Sequence, residues 1–159
     1  MSLSLRRVVT GHDENGKAVV LIDEIMNEAR SMRPNHQGHG IWATNDYPAN
    51  LNNNFDGKKI EPGPPGDCSS KFRITEYGPG VTARMHRTQS IDYVIIMKGE
   101  IDMELDDGVI VHLKEGDVCV QRGTIHNWKN NSTSPCLVAF ILLPAQPIQI
   151  QGKKLESTG

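Results

Sequence analysis

Apolar and polar residues alternate in short runs along much of the chain, and turn residues close most runs. The clearest stretch begins at residue 71. Runs of strand character cover 71–77, 82–87, 91–97, 100–106, 109–113, 118–121, 126–129 and 137–143. Gly78-Pro79-Gly80, Lys98-Gly99, Asp106-Asp107-Gly108 and Glu115-Gly116-Asp117 separate them. Many short strands with turns between them predict an all-β sandwich or barrel, not a parallel α/β sheet. Upstream, two β-prone runs flank Asn15-Gly16, a strong two-residue turn, so residues 5–22 predict a hairpin. Residues 23–32 have helix propensity but are limited by Pro34, which predicts a turn or one brief helix. A strand over 40–44 precedes a long irregular stretch, 45–70, containing Asn52-Asn53-Asn54 and Pro62-Gly63-Pro64-Pro65-Gly66. A stretch this long is either a lid over a barrel mouth or a surface excursion. The organisation expected is one domain: an N-terminal unit of hairpin, strand and loop over 1–70, a barrel over 71–147, and a flexible, fraying tail over 148–159.

Composition narrows the classes. The 159 residues carry a net charge of −2 with no basic stripe, which argues against nucleic acid as a partner. No run approaches the roughly 18 apolar residues of a membrane span. The first residues lack the apolar core of a signal peptide, so a cytoplasmic protein is expected. Cys68, Cys119 and Cys136 have no pairing motif and predict free thiols in a reducing setting, with Cys119 and Cys136 as inert core residues.

Strand parity selects the candidate chemistry. Successive side chains on a strand point to opposite faces. Arg84, His86 and Thr88 therefore share one face, Asp92, Val94 and Ile96 another, and His126 and Trp128 a third. A closed barrel would bring Arg84, His86, Thr88, Asp92, His126 and Trp128 into one cavity, with Gln121 beside them. There, His86 and His126 could serve as general acid and base. Asp92 could orient one imidazole, and Arg84 could pin a substrate carboxylate. The structural alternatives are an Arg84–Asp92 ion pair, a Thr88 that satisfies the backbone and a Trp128 that is simply core. His36-Gln37-Gly38-His39 is disfavoured as a metal loop.

The spacing Gly80-x5-His86-x-Thr88-x3-Asp92-x6-Gly99, followed by Gly116-x4-Gln121-x-Gly123-x2-His126-x3-Asn130, resembles the two motifs of the cupin superfamily. It looks most like small single-domain cupins of bacteria and of fungal secondary-metabolite clusters. The resemblance implies a double-stranded β-helix, or jelly-roll barrel, with the hairpin as an N-terminal extension. It implies a homodimer, in which the 5–22 hairpin is a candidate for pairing between subunits. It also implies a divalent metal (Zn, Fe or Mn) on His86, Asp92 and His126. The sequence departs from the usual ligands: Thr88 stands where the family has a second histidine, and Asp92 where it has glutamate. The metal-bound and metal-free readings therefore stay open. The expected function is a lyase or isomerase that decarboxylates, dehydrates or shuttles protons on a small organic acid or polyketide-like intermediate. A metal-dependent oxidoreductase or dioxygenase, and a non-catalytic binder of small anions, are the alternatives.

Overall fold

The structure is a computed structural model that describes residues 3–60 and 69–159. The proline-rich stretch 62–66 and Cys68 lie outside the described residues. Two hydrogen-bonded sheets enclose the core. The larger has the order β3-β4-β5-β11-β6-β9: Arg30–Arg33, His36–Thr44, Ser70–Tyr77, Cys136–Pro144, Ser90–Lys98 and Val118–Arg122. The smaller has the order β10-β7-β8: Asn127–Lys129, Glu100–Glu104 and Ile110–Lys114. Val94, Ile96, Val138, Phe140 and Tyr77 from the first sheet pack with Ile101, Met103, Leu113 and Trp128 from the second. This is the all-β double-stranded arrangement that the alternating pattern predicts. Among the described residues no helix is long and apolar enough to cross a membrane.

The N-terminal hairpin pairs β1 (Leu5–His12) with β2 (Ala18–Met26). Arg7 ties this hairpin to β4 and to the loop beyond it. Its guanidinium donates two bonds to the Asp56 carboxylate, at 2.7 and 2.8 Å, and others to Glu24 and the Ile41 carbonyl. Arg7 also holds the Asp56 carboxyl well down, to about 2. Gly57 lies under the Trp42 ring, where an added Cβ would come within 2.6 Å of ring carbons, so only glycine fits. The described part of the long loop is thus tied to the hairpin and β4, not laid over the histidines.

Four expectations differ from the observed fold. Residues 23–32 form no helix: β2 continues to Met26 and β3 begins at Arg30. The β-prone run through Ile22 and Ile25 and its pairing with β1 outweigh the high helix propensity of this short stretch. β4 starts at His36, not 40, after a turn in which Asn35 adopts φ 56°. Residues 82–87 form no ladder strand and pair only through bridges at His86–His126 and Arg87–Thr158. One cause is that the Arg84 N–H donates to the Asn127 side chain, at 2.8 Å, instead of to a ladder. The C-terminal segment is not loose either. It folds into the hairpin β12–β13 (Gln149–Ile150 and Lys153–Lys154), and Thr158 exchanges two main-chain bonds with Arg87.

Cys136 is fully buried and its thiol is pushed up to about 12 by burial, with Glu100 adding. The thiol of Cys119 is also raised by burial. Both behave as the inert core thiols expected.

Candidate functional site

His86 and His126 face each other across a two-residue bridge. The N–H of each donates to the carbonyl of the other, both at 2.9 Å. Directly opposed residues of an antiparallel pair project to the same side. The two rings accordingly lie 4.3 Å apart between centroids, tilted by 50°. Each Nδ1 contacts a carbonyl two residues earlier: His86 that of Arg84 at 2.9 Å, His126 that of Thr124 at 3.0 Å. A carbonyl only accepts, so each Nδ1 carries the proton and each Nε2 presents a lone pair. Main-chain oxygens therefore do the orienting that was expected of Asp92.

Both imidazoles are neutral at pH 7. Burial lowers His86 to about 4, the Arg84 carbonyl opposes this, and His126 and Arg84 add to it. Burial lowers His126 too, with Arg73 adding. A histidine held below its unfolded value of 6.5 gains protons later in the folded than in the unfolded chain. Its contribution to stability is complete above pH 6.5 and is lost as pH falls toward 4. His86→Asn, which cannot titrate, should therefore show a shallower rise of melting temperature with pH across this window than wild type. Parallel melting curves would contradict the assignment.

Asp92 stands apart from the pair. On β6 it lies opposite Gln121 of β9, 5% exposed. Its Oδ1 accepts from Ser90 Oγ at 2.6 Å, and Thr88 Oγ1 lies 2.9 Å from the same Ser90 oxygen. With the Ser90 proton directed to Asp92, Thr88 is the donor of the second bond. Burial raises the Asp92 carboxyl, and Ser90, Arg73 and His86 oppose it. Gln121 Nε2 donates to Thr124 Oγ1 at 2.6 Å, while its Oε1 is buried without a partner. A cleft of about 210 Å³ flanks this hydroxyl chain, lined by Arg87, Thr88, Ser90, Arg122, Ile148 and Leu155 among others.

Among the described residues, no group of three His, Cys, Asp or Glu side chains converges as a metal site. The His86–His126 pair is one donor short of a two-histidine, one-carboxylate set, because no described carboxylate converges with the two rings. The residues as folded do not fit the implied three-ligand ion, and no step is derived through one.

Sequence reasoning missed Arg73. It lies on β5, opposite Phe140 of β11, with its guanidinium 4.9 Å from the Phe140 ring centroid. Its Nε is buried without a partner, and among the described residues no carboxylate forms a salt bridge with it. Its charge is felt at His36, Tyr77, His86, Asp92 and His126. Alternation over 71–77 puts Arg73 on the face of Thr75 and Tyr77, which is the signal that could have found it. That face was passed over because Phe72 and Ile74 make the opposite one the more apolar. Arg84, expected to hold the substrate, is exposed; its Nη2 donates to the Gly159 carbonyl at 2.7 Å, and it does not pair with Asp92. Trp128 is 2% exposed and belongs to the core, edge-on to both His126 and Phe140 at 5.7 Å. His36 and His39 share no site: His39 Nε2 bonds the Leu3 carbonyl at 2.8 Å, while His36 packs against Tyr77.

A family model described as a cupin domain matches residues 73–142. The cupin-domain-containing oxidoreductase fogC of Aspergillus ruber is 35% identical over 157 residues, covering 94% of this chain and 77% of that protein. Phomopsin biosynthesis cluster protein C' of Diaporthe leptostromiformis is 39% identical over 158 residues, covering 94% and 83%. Among solved structures, an uncharacterized conserved protein with a double-stranded β-helix domain from Klebsiella pneumoniae superposes with a TM-score of 0.53. It is 17% identical and covers 82% of this chain and 90% of that one, which shows a shared fold alone. The family model, and identities of this size over nearly the whole chain, establish that this protein belongs to the cupin family.

Proposed function

We propose that the protein is a proton-transfer enzyme of the lyase or isomerase type. Its substrate would be a small organic acid or polyketide-like acid whose carboxylate sits on Arg73. The observation that carries this is the joint presence of two neutral imidazoles with free Nε2 atoms and a half-buried arginine whose Nε is unpartnered and which has no counter-charge among the described residues. A desolvated cation is costly until an anion meets it, and a guanidinium matches a carboxylate bidentately. An arriving anion also raises both imidazoles toward neutral pH, where a general base works best. One Nε2 then takes a proton from the carbon next to a carbonyl, leaving the electron pair as an enolate near Arg73. That proton passes to the neighbouring imidazole, which returns it to another carbon, or to a leaving hydroxyl that departs as water. Relatives named for fungal biosynthesis clusters support a setting in secondary metabolism.

The test is solvent-deuterium exchange into acetoacetate and longer β-keto acids, followed by NMR. Accelerated exchange at the carbon between the carbonyls is the expected result. Binding without exchange would overturn the enzyme reading and leave an anion-binding protein.

A second reading is a metal-dependent oxidoreductase. Relatives carry the name oxidoreductase, and a histidine that gives Nδ1–H to a carbonyl is also oriented as metal ligands are. It needs a donor that the His86–His126 pair lacks.

For the partner, we propose a second copy of this chain. Tyr93, Ile95 and Met97 of β6 and Val118 and Val120 of β9 are 40–72% exposed, and the register pairs Tyr93 with Val120 and Ile95 with Val118. So broad an apolar patch marks an interaction surface. Light scattering should give a dimeric mass that Val118→Asp converts to monomer; a monomeric wild type would contradict it.

A further inference from the structure

We infer that the face of the larger sheet that carries Arg73 also carries a second anionic subsite, formed by Arg33 and His36, so that the substrate carries two acidic groups held at opposite ends. This rests on the reading of Arg73 as a carboxylate anchor.

The placement follows from register. Arg33 pairs with His36 across β3–β4, and His36 pairs with Tyr77 across β4–β5. Paired residues share a face, so these three side chains form one row. The His36 and Tyr77 rings meet edge to face at 5.1 Å. Arg73 stands on the same face of β5, four residues before Tyr77, with Gly40 opposite it. An added Cβ at Gly40 would meet nothing within 4 Å, so the wall is open beside Arg73.

The chemistry is that of an unfilled anion site. Five buried side-chain polar atoms lack a partner among the described residues, and three are Arg33 Nε, His36 Nδ1 and Arg73 Nε. Such atoms are nearly always paired in folded proteins, so a cluster of three on one face calls for an acceptor from outside the chain. Among the described residues no carboxylate forms a salt bridge with Arg33. The only acid in the row is the Tyr77 phenol, which burial keeps neutral. The two arginines disfavour each other's charge and keep the His36 ring neutral. Burial lowers Arg33, with Tyr77 opposing and Arg84 and Arg73 adding. Burial lowers His36 to about 4, with Arg33 and Arg73 adding.

Four residues of strand separate the rows by about 13 Å at the backbone, and the arginine stems shorten the gap. That suits a dicarboxylate with several carbons between its acid groups, rather than a vicinal one. Arg73 takes the carboxylate nearer the imidazoles, and Arg33 with His36 takes the far one.

Calorimetric titration with adipate, succinate and hexanoate tests this on wild type, Arg33→Met, Arg33→Lys and Arg73→Met. Wild type should bind adipate at least tenfold tighter than hexanoate, and tighter than succinate. Arg33→Met should erase the preference for adipate while leaving hexanoate unchanged, and Arg33→Lys should recover part of it. Equal wild-type affinities for adipate and hexanoate would overturn the second subsite, as would an Arg33→Met that weakens both acids alike. Should Arg73→Met leave both acids unchanged, the primary anchor is wrong. If it weakens both while Arg33→Met weakens neither, the primary anchor stands and the second subsite falls.

Discussion

Arg73→Met should lower the affinity for hexanoate by about 30- to 150-fold, the loss of about 2–3 kcal/mol expected when a charge-assisted carboxylate contact is removed. Methionine keeps an apolar stem against Phe140 and removes only the charged fork. Arg73→Lys should recover part of the affinity, since an ammonium offers charge without the planar fork. Arg84→Met should change affinity by no more than about threefold, because Arg84 is exposed and bound to the Gly159 carbonyl. Stability should move the other way. In the free protein Arg73 is half-buried, with its Nε unpartnered and no ion-pair partner among the described residues, so Arg73→Met should melt no lower than wild type. Affinity lost in Arg84→Met and kept in Arg73→Met would reverse the assignment.

His86→Ala and His126→Ala should each slow deuterium exchange into a β-keto acid by about 10²- to 10⁴-fold, the range for a positioned general base. The double variant should be little worse than the poorer single one, because groups that act as a unit are not additive. Exchange should persist in neither His86→Asn nor His126→Asn, although an amide can still donate to the Arg84 or Thr124 carbonyl. That outcome separates the basic Nε2 from a merely structural ring. Full exchange in both alanine variants would remove the pair from the chemistry.

How much of this was legible depends on whether the information was local. The turns at Gly99, Asp107-Gly108 and Gly116 have positive φ and lie where the residue pattern places them, so the strands from 90 to 122 follow from it. The pairing of His86 with His126 follows from motif spacing plus parity. Three things did not follow. The imidazoles are oriented by main-chain carbonyls, which no residue type advertises. Arg73 was hidden because Phe72 and Ile74 make the opposite face of β5 the more apolar, which points Arg73 outward on pattern alone. Arg33 and His36 were hidden because 23–36 reads neither as strand nor cleanly as helix, so no parity could be assigned. The docking of the C-terminal segment rests on Thr158 meeting Arg87, a contact between residues far apart in the chain.

The central claim is that the chain's own paired imidazoles move the proton. Deuterium exchange into acetoacetate, measured on protein before and after exhaustive chelation, tests it most directly. The prediction is an unchanged rate after chelation, lost only on changing His86 or His126. Exchange that disappears on chelation and returns with added Zn, Fe or Mn would contradict it.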